Sequence, residues 1–303
     1  MSHAIIIPIY CENRNTINLC NELQNFGAEH IVVVNDGLNP KSEYFNELTS
    51  IGCHLVHLKN NNGKGASLKA GIKYAHDNLY NITGYITCDA DGQHTANDVM
   101  KISRMLDLRN GSLILGKRDY KKSKMPINIR IGNRLSSAYF KVITGKSCRD
   151  TQTGLRGIPA FLYDTVMKTK GSRFDFEMNF LTKCADMRVP FYFVNIIADC
   201  SNCSSNFRLI KDTYLIYRTP LRFATASIGC TIIDLVLFTI FAYILPSHMF
   251  FNIMLATLMA RVVSGGINFL INRKVIFGNT DNGAKQALRF FILFFCIMCA
   301  SSL

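Results

Sequence analysis

Two aspartates, Asp89 and Asp91, stand two residues apart directly after a short apolar run, Gly84–Cys88. In an extended backbone, side chains two residues apart point to the same side, so these two carboxylates would lie together. Adjacent carboxylates repel each other unless a cation compensates their charge. Hard cations such as Mg²⁺ or Mn²⁺ prefer oxygen ligands and commonly bridge carboxylates to substrate phosphates. The spacing therefore indicates a site for Mg²⁺ or Mn²⁺ beside a phosphate-bearing substrate, with a solvated turn as the alternative.

The elements that must position these carboxylates alternate between β-branched runs and helix-like segments, a pattern typical of a mostly parallel α/β sheet. The sequence predicts strands at Ala4–Pro8, His30–Val34, Cys53–Leu58, Gly84–Cys88 and Leu113–Gly116, and helices at Thr16–Phe26 and Ser67–Asn78. In such a sheet, ligands bind beyond the carboxyl ends of the strands. We therefore expect the loops Pro8–Asn13, Asn35–Gly37 and Cys88–His94 to converge on one edge.

A further loop, Asn61–Ser67, places Lys64 between two glycines just before a predicted helix. Backbone N–H groups at the start of a helix can hold a phosphate, although the spacing here is not that of a Walker A loop. A phosphate cradle and a plain turn with an N-capping serine are both compatible with this segment.

The chain of 303 residues is basic, with a formal net charge of +13 and a pI near 9.3. Such a charge suits nucleic acid, an anionic membrane surface or a phosphate-bearing substrate. The sequence has no zinc-finger spacing, RNP-type aromatic motif or basic arm, so we predict no nucleic-acid partner. Cys200 and Cys203 form a lone C-x-x-C with no second pair, for which chance spacing is favoured over a zinc or redox site.

Apolar residues gather in the last eighty residues, and three membrane spans are predicted at 223–245, 249–271 and 287–303, the third being short. Asp234 lies in the first span and Arg261 in the second. Charged residues inside spans usually face other helices or a polar cavity, so these two are hypothesised to be neighbours. The predicted organisation is a catalytic domain at 1–205, an amphipathic juxtamembrane helix at 206–222 and a membrane domain at 223–303.

Basic residues flank the spans unevenly. The link between the first two spans, around Pro246–His248, has no Lys or Arg. Basic residues instead precede the first span, at Lys211, Arg218 and Arg222, and lie between the second and third, at Arg273, Lys274, Lys285 and Arg289. The positive-inside rule therefore predicts a cytoplasmic catalytic domain, in a bacterial inner membrane or a plasma membrane.

Six motifs occur in order along the N-terminal two thirds: IPIYCEN (7–13), VVNDG (33–37), NNGKGASLKAG (61–71), DADGQH (89–94), GKRD (116–119) and DTQTGLRG (150–157). In this order they resemble family 2 glycosyltransferases of GT-A fold, in particular the dolichyl-phosphate mannose synthase and polyprenyl-phosphate glycosyltransferase branch. The resemblance covers about residues 3–215. It implies a Rossmann-like, mixed and mostly parallel sheet with flanking helices, followed here by C-terminal transmembrane helices.

The same resemblance implies metal-dependent, inverting transfer of a sugar from a UDP- or GDP-sugar to an undecaprenyl- or dolichyl-type polyprenyl phosphate. It assigns the metal to Asp89, Asp91 and Gln93. It assigns nucleotide-sugar binding to Pro8, Tyr10, Glu12, Asp36, Lys64, Asp89 and Gln93, acceptor phosphate binding to Arg118, Arg130 and Arg134, and the catalytic set to Asp91, Arg118, Asp175 and Glu177.

Two positions depart from the family pattern. Cys11 replaces the usual asparagine, and Asn35-Asp36-Gly37-Leu38 replaces the usual Asp-Asp-Gly-Ser, so the base that Asp36 would read is open. The roles of the later residues are open too. A phosphate acceptor is already ionised near pH 7 and needs no strong base, so Asp175 and Glu177 are either catalytic or positioning residues. Arg130 and Arg134 bind phosphate or lie on a solvated helix face.

The segment from Phe223 to Phe277 resembles the GtrA family of small membrane proteins, which normally have four spans and are linked to polyprenyl-phosphate sugars. With three spans predicted, we expect an anchor, through which copies of the chain could form a homo-oligomer. Two other functions are alternatives: a glycosyltransferase acting on a hydroxyl acceptor in cell-surface polysaccharide synthesis, and a non-catalytic component of a lipid-sugar flippase.

Overall fold

The computed structural model describes residues 2–118, 127–173, 175–197, 209–245 and 250–271. The predicted third span at 287–303, the Cys200/Cys203 pair and Asp119 of the GKRD motif lie outside the described residues. The chain divides into two compact units, Met1–Leu215 and Ile216–Leu303.

The first unit is an alternation of strands and helices. The strands are β1 (Ser2–Ile9), β2 (His30–Asp36), β3 (His54–Leu58), β4 (Ile82–Thr87), β5 (Leu113–Arg118), β6 (Arg156–Pro159) and β7 (Phe191–Ile196). The helices are α1 (Arg14–Asn25), α2 (Glu43–Ser50), α3 (Lys64–Asn78), α4 (Ala96–Leu108), α5 (Ile127–Thr144), α6 (Tyr163–Lys168) and α7 (Asp175–Asp186).

The seven strands form one sheet in the order β3-β2-β1-β4-β6-β5-β7. Every pairing is parallel except the two made by β6, which runs antiparallel to β4 and to β5. Because β6 is reversed, its first residue lies at the edge where the other strands end. The segment 150–155 therefore meets the loop that follows β4 and the end of β5. The predicted mostly parallel α/β sheet is confirmed.

Each face of the sheet has its own apolar core, because alternate side chains of a strand point to opposite faces. Ile5, Ile7 and Ile9 of β1 belong to a core that includes residues of α1, α2 and α4. Ala4 and Ile6 belong to the other core, with residues of α3 and α7. Burial on both faces explains why β1 is almost continuously apolar, as is typical of a central parallel strand.

Several element boundaries differ from the predictions. The strands predicted at Ala4–Pro8 and Gly84–Cys88 are observed at Ser2–Ile9 and Ile82–Thr87. The helix predicted from Ser67 begins at Lys64, and the Ser67 hydroxyl donates to the Gly63 carbonyl instead of capping the helix. The prediction that Ser67 caps the helix is therefore wrong.

The second unit contains α9 (Phe250–Ile271) and most of α8 (Leu209–Ile244), whose first residues belong to the first unit. From Leu209 to Ile244, the predicted juxtamembrane helix and the first predicted span belong to one continuous helix, α8. Two segments, Thr225–Ile244 and Asn252–Ile271, are long and apolar enough to cross a membrane.

Small residues of α9 are buried at four-residue spacing, at Ala256, Ala260 and Ser264. Small side chains at this spacing let membrane helices approach closely. The Ser264 hydroxyl donates to the Asp234 carboxylate of α8 at 2.7 Å, which gives the intramembrane carboxylate a polar partner. The predicted pairing of Asp234 with Arg261 stays a prediction.

The packing of α3 against the sheet gives a stability prediction. A Cβ at Gly71 would lie 2.5 Å from Cγ2 of Ile6 and 2.7 Å from Cγ2 of Val34. β-Branched side chains in a packed core have few alternative rotamers and cannot move aside easily. We therefore expect the overpacking in Gly71→Ala to lower the free energy of unfolding by about 1–3 kcal/mol. The better helix propensity of alanine, about 1 kcal/mol, offsets only part of this cost.

The measurement is the thermal unfolding midpoint of the full chain in detergent. Gly111→Ala is the control, because a Cβ there meets no atom within 4 Å. Equal midpoints for the two variants would contradict the predicted packing.

Candidate active site

Asp89 and Asp91 lie in the loop that follows β4, at the carboxyl edge of the sheet. The N-terminal turn of α1 holds the backbone of this loop. The Thr16 hydroxyl donates to the carbonyl of Ala90 at 3.1 Å, and Nδ2 of Asn15 donates to the carbonyl of Asp91 at 3.4 Å. These bonds fix the loop from a neighbouring element, so the two carboxylates have a defined position.

The loop before β6 approaches the same carboxylates from the other side. The Thr87 hydroxyl donates to the carbonyl of Gly154 at 2.7 Å. A Cβ on Gly154 would overlap the Asp89 carboxylate, so the glycine in the motif DTQTGLRG makes room for Asp89. Any other residue at this position would displace either the loop or the carboxylate.

Lys64 bridges two carboxylates at this edge. Its ammonium Nζ lies 2.6 Å from Oδ1 of Asp89 and 3.0 Å from Oε1 of Glu177. The side chains are largely shielded from solvent, at 16 % exposure for Lys64, 23 % for Asp89 and 8 % for Glu177. Lys64 begins α3 and Glu177 lies in the first turn of α7, so three separate elements meet at one ion-paired cluster.

The charges of this cluster stabilise one another. Burial alone would raise the pKa of Asp89, but the Lys64 ammonium and His94 more than offset this effect, and the pKa lies below its ordinary value. Burial alone would lower the pKa of Lys64, but the negative charges of Asp89 and Glu177 have the larger effect, so the pKa lies above its ordinary value. Asp89 and Lys64 are therefore both charged at neutral pH.

Asp91 has the opposite balance. Burial and the nearby charge of Asp89 raise the pKa of Asp91, because both disfavour a second anion here. Gln93 partly compensates, since its backbone N–H donates to Oδ1 of Asp91 at 3.1 Å and its side-chain Nε2 donates to Oδ2 at 2.5 Å. A carboxylate that still lacks a full countercharge is a suitable ligand for a divalent cation, so Asp89 and Asp91 fit the predicted metal.

Two details bear on the metal ligands. Gln93 directs its amide nitrogen at Asp91, so it would have to turn its amide to offer an oxygen ligand. Among the residues that the structure describes, no group of three or more His, Cys, Asp or Glu could hold a metal ion. An ion at Asp89 and Asp91 would thus depend on further oxygen ligands, such as Gln93 or substrate phosphates.

Asp36 is buried and braces the loop before Lys64. Its two carboxylate oxygens accept the backbone N–H groups of Asn62 at 2.8 Å and Gly63 at 2.9 Å. The backbone N–H of Ala66 donates to the Ser172 carbonyl at 2.9 Å. Three N–H groups of the predicted phosphate cradle thus already bond to protein atoms, and the Lys64 side chain is a further group that could meet a phosphate here.

The departure at Asn35 has a structural counterpart. Its Oδ1 accepts the N–H of Leu38 at 2.7 Å, while its Nδ2 donates to the Leu38 carbonyl at 2.9 Å and lies 3.0 Å from Nδ1 of His57. The bonds to Leu38 fix the orientation of the amide, so Nδ2 is the donor to His57. An aspartate could not make these donor contacts. Whether Asp36 reads a base stays a prediction.

The residues after β1 stand at the same edge. Pro8 is buried within β1, whereas Tyr10 and Glu12 are exposed beyond its end. Burial, the Cys11 thiol and the Asp91 carboxylate raise the pKa of Tyr10 to about 12, so its hydroxyl keeps its proton at neutral pH. Tyr10 thus lies near the aspartate loop, and the nucleotide contacts of all three residues stay predictions.

Arg118 ends β5 in a buried ion pair. Its Nε donates to Oδ2 of Asp150 at 2.7 Å, and its Nη2 donates to Oδ1 at 2.8 Å. Arg118 is 7 % exposed and Asp150 is fully buried. This bidentate pair joins the GKRD and DTQTGLRG motifs, and a contact of Arg118 with phosphate stays a prediction.

Arg130 and Arg134 are exposed on α5, next to the exposed apolar side chains Ile131 and Leu135. The opposite side of α5 is bonded to the loop before β6 by buried polar residues: Asn133, Ser136 and Thr151. Oδ1 of Asp175 accepts the backbone N–H of Arg173, two residues earlier in the chain, at 3.0 Å. The structure therefore places Glu177 in the ion-paired cluster and gives Asp175 a local bond.

Sequence reasoning missed three residues of this site, although their motifs were recognised. Nε2 of His94, which is buried, lies 3.7 Å from Oδ2 of Asp89. Asp150 pairs with Arg118, and the buried Arg156 donates to the carbonyls of Thr151, Thr153 and Glu177. The available signal was that each is a charged or ionisable residue, within a motif, close to the end or the start of a strand. Its partner, however, can be identified only from the three-dimensional structure.

The Arg118–Asp150 pair gives a second prediction. Removing one partner of a buried ion pair leaves the other charge uncompensated, which costs about 3–5 kcal/mol. We expect Asp150→Asn to lower the unfolding midpoint of the full chain strongly. The control is Glu47→Gln, which removes the charge from an exposed pair in which Nη1 of Arg14 contacts both Glu47 oxygens, and it should cost at most about 1 kcal/mol. A midpoint for Asp150→Asn no lower than that of the control would contradict the predicted buried pairing.

Comparisons with known proteins find relatives for both parts of the chain. A model described as glycosyl transferase family 2 matches residues 4–164, and one described as the GtrA/DPMS transmembrane domain matches residues 222–303. An uncharacterized protein of Methanocaldococcus jannaschii is 32 % identical over 188 residues, which are 58 % of this chain and 73 % of that protein. A UDP-N-acetylglucosamine–dolichyl-phosphate N-acetylglucosaminyltransferase of Methanococcus voltae is 29 % identical over 172 residues, 50 % of this chain and 67 % of that protein.

Solved structures share the fold. Glucosyl-3-phosphoglycerate synthase from Mycobacterium tuberculosis, in complex with phosphoglyceric acid, has a TM-score of 0.55 at 11 % identity, covering 72 % of this chain and 79 % of that one. The same enzyme in complex with Mn²⁺, UDP-glucose and phosphoglyceric acid has a TM-score of 0.54 at 11 % identity, with the same coverage. The chain therefore belongs to glycosyl transferase family 2, carries a GtrA/DPMS transmembrane domain after its GT-A-like domain, and is a glycosyltransferase.

Proposed function

We propose that this enzyme transfers a sugar, with inversion and with the help of a divalent metal, from a nucleotide-sugar to a polyprenyl phosphate at the cytoplasmic face of the membrane. The cluster of Asp89, Asp91, Glu177 and Lys64 is the observation that carries the proposal. Its three carboxylates and one ammonium have a combined formal charge of −2 at the ligand-binding edge of the sheet. A divalent cation would balance this charge and still offer coordination positions to a diphosphate.

Asp89 and Asp91 would hold the Mg²⁺ or Mn²⁺, with Gln93 as a further ligand. Such an ion stabilises the negative charge on a departing nucleoside diphosphate. Lys64 would add a positive charge beside the same diphosphate through charge-assisted hydrogen bonds. The Mn²⁺ and UDP-glucose in the complexes of the structurally similar mycobacterial enzyme support this assignment. UDP-glucose, GDP-mannose and UDP-N-acetylhexosamines are the donors to test.

A lipid phosphate is the proposed acceptor. Its oxygen would attack the anomeric carbon opposite the nucleoside diphosphate, forming the new carbon–oxygen bond as the bond to the diphosphate breaks. A phosphate is already ionised at neutral pH, so it needs no general base. Glu177, the carboxylate that α7 contributes to the cluster, is ion-paired with Lys64, which fits this acceptor. The dolichyl-phosphate transferase of Methanococcus voltae and the GtrA/DPMS domain also support a lipid acceptor.

The charge distribution supports the membrane face. Lys and Arg precede the first span and follow the second, while the link between the two has neither. By the positive-inside rule the transferase domain would be cytoplasmic. Exposed Arg130 and Arg134 on α5 are suited to an anionic headgroup, since guanidinium groups bind phosphate oxygens in a fork.

The test is transfer of label from radioactive UDP- and GDP-sugars to polyprenyl phosphate in membranes that contain the protein. We expect Asp91→Asn to reduce transfer on the order of 100-fold or more, because the metal site loses a ligand charge. Asp77→Asn is the control, since Asp77 lies on the exposed side of α3 in a pair with Lys73. Near-normal transfer by Asp91→Asn would contradict the metal assignment.

The acceptor is tested in the same assay with the dephosphorylated lipid. Polyprenol should receive no label, because its hydroxyl is not ionised at neutral pH and the Glu177 carboxylate is directed at Lys64. Labelled polyprenol, or label that enters no lipid with any donor, would contradict the lipid-phosphate acceptor.

A further inference from the structure

Lys64 is held more firmly than a surface lysine. Its ammonium forms ion pairs with two carboxylates, at 2.6 Å from Oδ1 of Asp89 and 3.0 Å from Oε1 of Glu177. Both carboxylates come from elements distant in sequence, one following β4 and one on α7. A long side chain loses its rotamer freedom in such a bridge, so the structure has already met part of the entropic cost of presenting the ammonium to an anion.

The backbone beneath Lys64 is fixed as well. Asp36 accepts the N–H groups of Asn62 and Gly63, the two residues before Lys64. On the other side, a Cβ at Gly65 would lie 2.5 Å from Cβ of Phe176, so α3 begins in direct contact with the first turn of α7. Lys64 therefore has little freedom to move relative to Glu177.

Glu177 is itself anchored. Nη1 of the buried Arg156 donates to the Glu177 carbonyl at 3.0 Å, and the Glu177 side chain is 8 % exposed. Its Oε1 faces the Lys64 ammonium. A general base must direct a free lone pair at the proton that it removes, whereas this carboxylate is directed at a permanent cation.

We infer that Glu177 is a positioning residue, which holds the Lys64 ammonium where the donor diphosphate binds and acts on the donor only through Lys64. The inference rests on the proposed function, because it requires a nucleoside diphosphate at this edge. On this inference the two carboxylates that pair with Lys64 have different roles. Asp89 is shared between Lys64 and the metal site, while Glu177 serves Lys64.

A double-mutant cycle on ligand affinity separates the two roles of Glu177. The dissociation constants of UDP and GDP are measured by calorimetry on the full chain in detergent, once with Mn²⁺ and once with EDTA. The proteins are wild type, Glu177→Gln, Lys64→Met and the double variant. Asp186→Asn, an exposed change near the end of the same helix, should bind like wild type.

We expect Glu177→Gln to weaken nucleoside diphosphate binding on the order of tenfold, the effect of losing one charge-assisted contact. Lys64→Met should weaken binding at least as much. Because Glu177 acts through Lys64, adding Glu177→Gln to Lys64→Met should have no further effect, which is the non-additivity expected of coupled residues. Glu177→Asp keeps the charge and should give an intermediate affinity, and it replaces Glu177→Gln in the cycle if that variant fails to fold.

Kinetics give a second readout. A positioning role raises the donor KM and leaves kcat within about threefold of wild type, whereas loss of a general base lowers kcat about 100-fold or more at unchanged KM. Wild-type affinity in Glu177→Gln, or effects that multiply in the double variant, would overturn the positioning role while leaving the proposed function intact. Failure of the wild type to bind UDP or GDP would overturn the proposed donor and this role together.

Discussion

The ammonium of Lys64 lies between carboxylates of two different elements, and the arrangement of the active-site edge depends on this ion pair. Buried carboxylates are unfavourable unless they are paired or hydrogen-bonded. The Lys64 ammonium lies 2.6 Å from the Asp89 carboxylate and 3.0 Å from the Glu177 carboxylate, so it compensates their charge in a place shielded from solvent. Without this cation, Asp89 and Asp91 would compete for one proton in the same loop, and the edge would lose the anionic character that suits a divalent metal.

The reversed strand β6 provides the second constraint. Because it runs against its neighbours, it brings the DTQTGLRG motif to the edge where the parallel strands end. Each part of that motif then serves a different element: Asp150 holds Arg118, Gly154 leaves space for Asp89, and Arg156 fixes the backbone of Glu177. One short segment thus ties β5, the aspartate loop and α7 into a single site.

The sequence was sufficient for the parts of the fold that depend on local pattern. Apolar runs identified five strands of the sheet, and the D-x-D spacing after β4 identified the aspartate loop. It was insufficient where the outcome depends on through-space partners. Nothing local indicates that Asp36 binds the loop before α3, or that Arg118 pairs with Asp150 thirty-two residues later. Strand β6, only four residues long, has too little pattern to be recognised alone.

The helix that begins at Lys64 shows the same limit. Ser67 matches the type of residue that caps helices, yet the actual cap is Gly63, because the Asp36 carboxylate binds the N–H groups at 62 and 63 and starts the helix earlier. The residue that overrides the local capping preference of Ser67 is Asp36, which lies on β2 and is distant in sequence.

The central claim is that Asp89 and Asp91 form a metal site completed by a nucleoside diphosphate. Mn²⁺ binding, followed by electron paramagnetic resonance of the free ion with and without UDP or GDP, tests it directly. The account predicts that one of the two nucleotides markedly tightens Mn²⁺ binding to the wild type and that Asp91→Asn abolishes this increase. Tightening of the same size in Asp91→Asn, or none in the wild type with either nucleotide, would contradict it.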